Sequence, residues 1–316
     1  MPNQESKKEE APVVRGRSSP WSTVREEVLQ AWELRRELIG KIEQHFQGKV
    51  IVFFTSFHSE SAGIEDQDAE MIENILSTDR HQGRLLLILS SPGGDGMAAE
   101  RIVNVCRSYS NKDFRVIVPH MAKSAATLIC FGASRIHMSR TAELGPVDPQ
   151  MTYTNSEFGR RVPISAEEYV RSYQQLMDRG TSGQAKRLEP IMLQLQRYDA
   201  RFIEQLRSWQ ALSESISIRL LKSGMMAKYS EKEIKRRISA FLVQKKTRSH
   251  GRMITMGEAA KYGLAVDEIE LQSELWSWIW ELYIRADCAV STRCSKILES
   301  ATTGLSATGM ANENEE

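Results

Sequence analysis

The feature that most constrains this chain is an aliphatic run that leads straight into a Pro-Gly-Gly turn, in the segment RLLLILSSPGGDGMAAERIVNVCRSY (84–109). The run before the turn predicts a buried strand, and the apolar residues after the turn repeat at helical spacing. Glycines at such a junction let another group approach the backbone N–H groups closely. That group would be a phosphate, a coenzyme or the oxyanion of an acyl-transfer reaction.

Two nucleotide-binding interpretations of the turn lack their confirming context. Gly94-x-Gly96-x-x-Ala99 loosely matches the dinucleotide-binding pattern, which needs an acidic residue near the end of the next strand. That strand, FRVIVPHM, ends at Pro119-His120 without a carboxylate, and no Gly-Lys-Ser/Thr follows the glycines. A structural interpretation, in which Pro-Gly-Gly is only a tight turn between strand and helix, stays open.

A second strand-to-helix junction, VIVPHMAKSAATLICFGAS, changes the balance. Ser124 stands at the predicted start of its helix and could be a simple N-cap. A hydroxyl beside free N–H groups and a positive helix end is also how a nucleophile is presented. Two neighbouring parallel strands would bring the Gly93 and Ala125 amides to one sheet edge, where they would form an oxyanion hole around Ser124.

The order of the elements predicts an α/β fold. Strands and helices alternate from GKVIVFFTS to RIHMS, which is typical of repeated βαβ units with a mostly parallel sheet. A long helical C-terminal half follows. We expect a disordered segment (1–20), an α/β core with an N-terminal helix (21–160), a helical extension that returns to the core at 245–270 (161–300), and a disordered tail (301–316).

The composition excludes several classes of protein. The net charge is +1, from 42 basic and 41 acidic residues, so there is no electrostatic case for nucleic-acid binding. No apolar run is long enough to span a membrane, and the N-terminus lacks the apolar segment of a signal peptide. The four cysteines form no CxxC pair. We therefore expect a cytoplasmic, reduced protein without a metal or cofactor.

Three motifs together resemble a known family. LSSPGGDGMAAERI is followed about thirty residues later by AKSAATLICFGAS and then by ELGPVDPQM. In this order they resemble the Clp protease/signal peptide peptidase A group of the crotonase-like superfamily. With the opening RRELIGKIEQHFQGKVIVFFTS, they are most similar to the serine dehydrogenase proteinase branch. The resemblance covers roughly residues 35–155 and, more weakly, 245–270, and it implies the crotonase/ClpP-like fold.

The resemblance implies roles for three residues. Ser124 would be the nucleophile of a serine peptidase, and Gly93 and Ala125 would supply the oxyanion N–H groups. The implied substrate is a peptide or unfolded protein, cleaved through an acyl-enzyme. Subunits of this superfamily generally form trimers, hexamers or rings, so a homo-oligomer is expected. The alternatives are an inactive crotonase-like scaffold or interaction protein, and an acyl-CoA-type hydrolase or isomerase on the same fold.

The general base stays open. The Clp subunit has a histidine where this chain reads LGPVDPQ, and that region offers only Glu143 and Asp148. His250 lies one residue before the slot that the Clp subunit fills with its triad aspartate, and His120 ends the strand four residues before Ser124. Either histidine could take a proton near neutral pH. Asp148 would orient a base or hold the turn between its flanking prolines.

Overall fold

The computed structural model describes residues 31–59, 62–154, 161–182, 188–242 and 253–307. Strands and helices alternate through the first half of the chain, and helices dominate the second. The strands in chain order are β1 (Lys49–Thr55), β2 (Leu85–Ser90), β3 (Phe114–Val118), β4 (Met121–Ala122), β5 (Arg135–Met138), β6 (Glu143–Leu144), β7 (Gln150–Thr154), β8 (Arg161–Ser165), β9 (Ile254–Thr255), β10 (Val266–Glu268), β11 (Lys296–Glu299) and β12 (Gly304–Ala307). The helices are α1 (Ala31–Phe46), α2 (Asp66–Thr78), α3 (Gly96–Tyr109), α4 (Ala125–Gly132), α5 (Ala166–Thr181), α6 (Glu189–Leu195), α7 (Ala200–Lys222), α8 (Glu231–Arg237), α9 (Ser239–Leu242), α10 (Met256–Lys261) and α11 (Glu274–Thr292).

The central sheet has seven strands in the order β10-β5-β3-β2-β1-β11-β12. The five strands from β10 to β1 are parallel, and β11 and β12 add an antiparallel edge. This arrangement confirms the predicted α/β fold with a mostly parallel sheet. Because the strands β2 and β3 are parallel neighbours, the two glycine- and serine-containing junctions that follow them meet at one edge of the sheet.

Helices cover both faces of the sheet, so its strands are apolar on both sides. In β1, Ile51 and Phe53 pack into a core with α2, α3, α4 and α7. Val50, Val52 and Phe54, on the opposite side of the same strand, pack into a second core with α1 and α11. This double burial explains why the sequence of β1 is continuously apolar rather than alternating.

A second, three-stranded sheet in the order β4-β6-β9 lies at the carboxyl edge of the main sheet. Strand β4 pairs in parallel with β6, and β6 pairs antiparallel with β9. Ser91, directly after β2, forms a bridge with Ala122 of β4. The small sheet thus links the Pro-Gly-Gly turn, the segment before Ser124 and the return of the chain at residues 254–255.

The C-terminal part of the chain contributes more strand than the sequence predicts. The extension 161–300 and the tail 301–316 were expected to be helical and disordered, respectively. The structure places β11 and β12 in the main sheet, where Arg35 of α1 donates two hydrogen bonds to Glu299 of β11, at 2.7 and 2.6 Å. Residues 1–20 and 308–316 lie outside the described residues, so the predicted disorder there stays a prediction.

The Trp-rich segment forms α11 and packs on the second face of the sheet. Trp276 and Tyr283 are buried there, while Trp280 is exposed and stacks on Trp276 with ring centroids 5.6 Å apart. Much of this aromatic side is therefore satisfied within the chain itself. No helix in the described part of the chain combines the length and apolarity that crossing a bilayer requires.

Candidate active site

Ser124 lies at the junction between β4 and α4. It is the N-cap residue of α4, with φ 51° and ψ −118°, a backbone conformation that a residue other than glycine adopts only under strain. Its side chain makes no cap hydrogen bond, so the hydroxyl does not serve the simple N-cap role. A strained strand-to-helix turn that exposes a hydroxyl is one way in which proteins present a serine nucleophile.

Backbone hydrogen bonds on both sides hold this turn. The Ser124 N–H donates to the carbonyl oxygen of Pro146 at 3.2 Å, and the Lys123 N–H donates to that of Ser91 at 3.0 Å. On the helix side, the Leu128 N–H donates to the Ser124 carbonyl oxygen at 3.2 Å. The surrounding structure therefore determines the strained conformation of Ser124 from three directions, as such strain requires.

The Pro-Gly-Gly turn lies directly against Ser124. A Cβ atom on Gly93 would be 2.6 Å from the Ser124 Cβ, and one on Gly94 would be 2.1 Å from the backbone nitrogen of Ile64. Both glycines also have positive φ values, of 118° and 148°. Only glycine fits at these two positions, because any side chain would push the turn away from the serine or from Ile64.

The two glycine amides point to different partners. The Gly93 N–H, predicted to bind the oxyanion, donates to the Ser91 hydroxyl at 3.1 Å. Ile64 accepts from the Asp95 N–H and donates to the Gly93 carbonyl oxygen, both at 2.8 Å. In such a parallel bridge the residue between them, Gly94, directs its own N–H away from Ile64. Gly94 is exposed and Gly93 is buried.

A cavity of about 550 Å³ opens beside Ser124. Gly94, Ser124 and Ala125 line it on the α/β side, and Trp209 and Leu212 of α7 line it on the opposite side. Ala125 is the first residue of α4, where an N–H group has no partner within the helix. The structure thus brings together Ser124, Ala125 and Gly94 at one cavity.

Two charged side chains near Ser124 have structural partners. Lys123, which precedes the nucleophile, forms an ion pair with Glu143 of β6. Asp95 accepts hydrogen bonds from the Met97 and Ala98 amides, at 2.6 and 3.0 Å. Asp95 is therefore the N-cap of α3, as the sequence predicts.

Asp148 is buried close to the site but does not line the Ser124 cavity. Its carboxylate accepts a hydrogen bond from the Gln150 side chain at 3.0 Å. The neighbouring residues Val147 and Pro149 do line the cavity. The carboxylate thus lies one residue behind the cavity wall, in a position to hold the Pro-flanked turn or a base that reaches it.

His120 faces a different part of the molecule. Its Nδ1 is 2.9 Å from the Tyr283 hydroxyl of α11, on the second face of the sheet. Burial raises the pKa of Tyr283 to about 12, so this phenol stays protonated and can donate to the imidazole. Among the described residues that line the Ser124 cavity, no histidine is present.

His250, the other predicted base, lies outside the described residues. Both flanking segments are described, and both border the active-site turn. The Val147 N–H donates to the Phe241 carbonyl oxygen at 2.9 Å, shortly before residue 243. After residue 252, Ile254 pairs with Leu144 of β6.

The helical side of the cavity was not foreseen from the sequence. Trp209, Leu212 and Ile216 line it from α7, at intervals of three and four residues that place them on one helix face. The periodicity was visible in the sequence, but it does not say which surface that face covers. In the described ranges, no three His, Cys, Asp or Glu side chains form a group suited to a metal ion.

Comparisons with known proteins place the α/β core in a family. Residues 21–158 match the model of the family described as ClpP-like SDH-type serine proteinase, which confirms the resemblance predicted from the three motifs. Two uncharacterized proteins of Methanocaldococcus jannaschii, MJ0137 and MJ1495, are 39% and 35% identical to the chain over 85 residues. That region is 27% of this chain and 29% of each relative, so the chain matches less than a third of their length.

A solved structure of a mutant of the 1510-N membrane-bound stomatin-specific protease is also similar. The two chains are 18% identical, with a TM-score of 0.26, over 37% of this chain and 59% of that one.

Proposed function

We propose that this chain, whose residues 21–158 match the ClpP-like SDH-type serine proteinase family, is a serine peptidase that forms an acyl-enzyme on Ser124. The observation that carries the proposal is the strained, uncapped Ser124 at a cavity that two backbone amides also line. In the first step the Ser124 Oγ attacks the peptide carbonyl carbon while a base takes its proton. The amine leaves with that proton, and water then hydrolyses the ester.

The oxyanion would be held by two backbone N–H groups. Ala125 is one of the two residues predicted for this role, and its amide at the start of α4 supports it. Since the Gly93 N–H already donates to Ser91, we propose Gly94 as the second donor in place of Gly93. Removing one such donor typically lowers turnover about 10²–10³-fold.

For the general base we propose His250, with Asp148 as the group that orients it. The support is positional: the described residues on both sides of 243–252 pair with Leu144 and Val147. These two residues flank Pro146, whose carbonyl oxygen accepts from the Ser124 N–H. The bond from His120 to Tyr283 makes His120 the weaker candidate.

The substrate class and setting follow from the same proposal. A peptide or an unfolded segment would be needed, since the reacting serine is half-buried behind α7. Homo-oligomeric assembly is proposed from the family resemblance alone. All four cysteines lie in described residues and are free thiols, which is compatible with the cytoplasm.

A fluorophosphonate probe tests the proposal directly. The purified protein is incubated with the probe, and the adduct is located by mass spectrometry in the wild type and in Ser124→Ala, His250→Ala, His120→Ala and Asp148→Asn. We expect labelling on Ser124, its loss in Ser124→Ala and a large decrease in His250→Ala, with His120→Ala close to wild type. Absence of any Ser124 adduct in the wild type would overturn the peptidase and favour the inactive scaffold.

A further inference from the structure

The helix α7 forms the wall of the Ser124 cavity, and it comes from outside the residues 21–158 that match the peptidase family. Three of its residues, Trp209, Leu212 and Ile216, face the nucleophile across the cavity. Their role is therefore specific to the helical half of this chain and has to be worked out from this structure.

The wall is anchored rather than loosely apposed. The Ser213 hydroxyl donates to the Val147 carbonyl oxygen at 2.6 Å, next to the active-site turn. Further along α7, Arg219 forms an ion pair with Glu100 of α3 at 2.6 Å, and Arg107 of α3 donates to the Leu220 carbonyl oxygen at 2.9 Å. These contacts fix the distance between α7 and Ser124.

The lining of the cavity is apolar where it faces a substrate. Met97, Trp209 and Leu212 are 59%, 38% and 42% exposed, although large apolar side chains cost free energy in contact with water. Leu128 and Ile216 complete the apolar lining. Exposed apolar groups concentrated in one cleft usually mark a binding site.

Charge is nearly absent from this lining. Of the described residues that line the cavity, Asp95 is the only one with an ionisable side chain, and its carboxylate already accepts from two amides at the start of α3. A charged substrate side chain would lose its hydration here without gaining a free partner of opposite charge. The cavity volume of about 550 Å³ is ample for one large side chain and its backbone.

From these observations we infer that α7 selects the substrate: Trp209 and Leu212 form a subsite for a large, uncharged apolar side chain on the residue whose carbonyl carbon Ser124 attacks. The position follows from the start of the cavity at Ser124, Gly94 and Ala125, which places the nearest substrate side chain along α4 and against α7. This inference rests on the proposed peptidase function and names its specificity.

Peptidyl thioesters that differ only at the acyl-side residue provide the substrates, because an activated leaving group needs less help from the base. With Leu, Ala, Lys and Asp at that position, we expect kcat/KM for Leu to exceed that for Ala by about 10-fold or more. Lys and Asp substrates should be poorer than Ala. Trp209→Ala should narrow the Leu/Ala ratio toward one.

A charge introduced into the wall makes a sharper test. In Leu212→Asp we expect the ratio of kcat/KM for Lys over Leu to rise by about 10-fold or more, because the new carboxylate pairs with the substrate ammonium. Leu193→Asp is the matched control, since Leu193 is 65% exposed on α6 and does not line the cavity. A gain of activity toward Lys cannot result from misfolding.

The outcomes separate this inference from the function on which it rests. If Ser124 neither hydrolyses thioesters nor reacts with a fluorophosphonate, the peptidase and the subsite both fail. If the wild type hydrolyses all four substrates equally, or if Leu212→Asp and Leu193→Asp change the Lys/Leu ratio alike, the peptidase stands and the subsite is overturned.

Discussion

The hydroxyl of Thr55, at the end of β1, lies 2.8 Å from the hydroxyl of Ser91, which follows β2. Both residues are buried, and the Ser91 oxygen also accepts the Gly93 N–H at 3.1 Å. This pair of hydroxyl groups connects the middle of the sheet to the Pro-Gly-Gly turn. It occupies the amide of Gly93 and leaves that of Gly94 turned away from Ile64.

The first prediction concerns this hydroxyl pair. Thr55→Val keeps the shape of the side chain but removes the hydroxyl, and we expect kcat to fall by up to ~10²-fold through misplacement of the turn, with KM little changed. Thr55→Ser keeps the hydroxyl and should retain most of the activity. Steady-state kinetics of the two variants decide the matter, and equal kcat values would show that the pair has no positioning role.

The second prediction concerns Gly94. In Gly94→Ala the new Cβ would lie 2.1 Å from the Ile64 nitrogen, so we expect both a lower unfolding temperature and loss of Ser124 labelling. Gly40→Ala in α1 is the control, because no atom lies within 4 Å of its Cβ position. That substitution should stabilise the helix by roughly 0.5–1 kcal/mol. Wild-type labelling of Gly94→Ala would contradict the close packing of the turn.

The third prediction concerns the ion pair between Arg35 and Glu299. The two side chains are 7% and 3% exposed and are joined by two hydrogen bonds. Glu299→Ala leaves the guanidinium buried and unpaired, and we expect the free energy of unfolding to fall by about 3–5 kcal/mol.

Glu268→Ala is the matched control, since it removes an exposed partner of Arg140 and should cost less than about 1 kcal/mol. Chemical denaturation measures both variants. Similar losses in the two would show that burial does not set the strength of the Arg35 pair.

The fourth prediction concerns pH. Burial, the largest cause, lowers the pKa of His137 to about 4, although Asp267 opposes the shift, with a carboxylate oxygen 3.8 Å from Nδ1. Between pH 6.5 and 4 the unfolded chain therefore binds a proton at His137 that the folded chain does not. The stability that neutral His137 contributes is complete above pH 6.5 and is lost as the pH falls toward 4, by roughly 3 kcal/mol.

His137→Leu should remove this part of the pH dependence, and His58→Gln, at an exposed position, should leave it unchanged. The measurement is the free energy of unfolding of each variant at pH 7 and pH 4.5. The same loss of stability in His137→Leu as in the wild type would assign the acid sensitivity to other groups.

Much of the architecture was accessible from local patterns. The apolar runs of β1, β2 and β3 and the helical spacing of α3 predict their own elements, because burial on both faces of a parallel sheet leaves a continuous apolar signal. Strands β11 and β12 were missed, since Lys296–Glu299 and Gly304–Ala307 are short and carry polar residues. Their place in the sheet depends on ion pairs with distant segments, such as that between Glu299 and Arg35.

The sequence by itself determined the two junctions, the serine at one and the glycines at the other, and their meeting at one sheet edge. These follow from residue type and chain order, which act over a few neighbours. Only the tertiary structure decided that the Gly93 amide binds Ser91, that His120 reaches Tyr283 and that α7 closes the cavity. The direction of an amide and the docking of a helix depend on groups far away in sequence, and no local pattern records them.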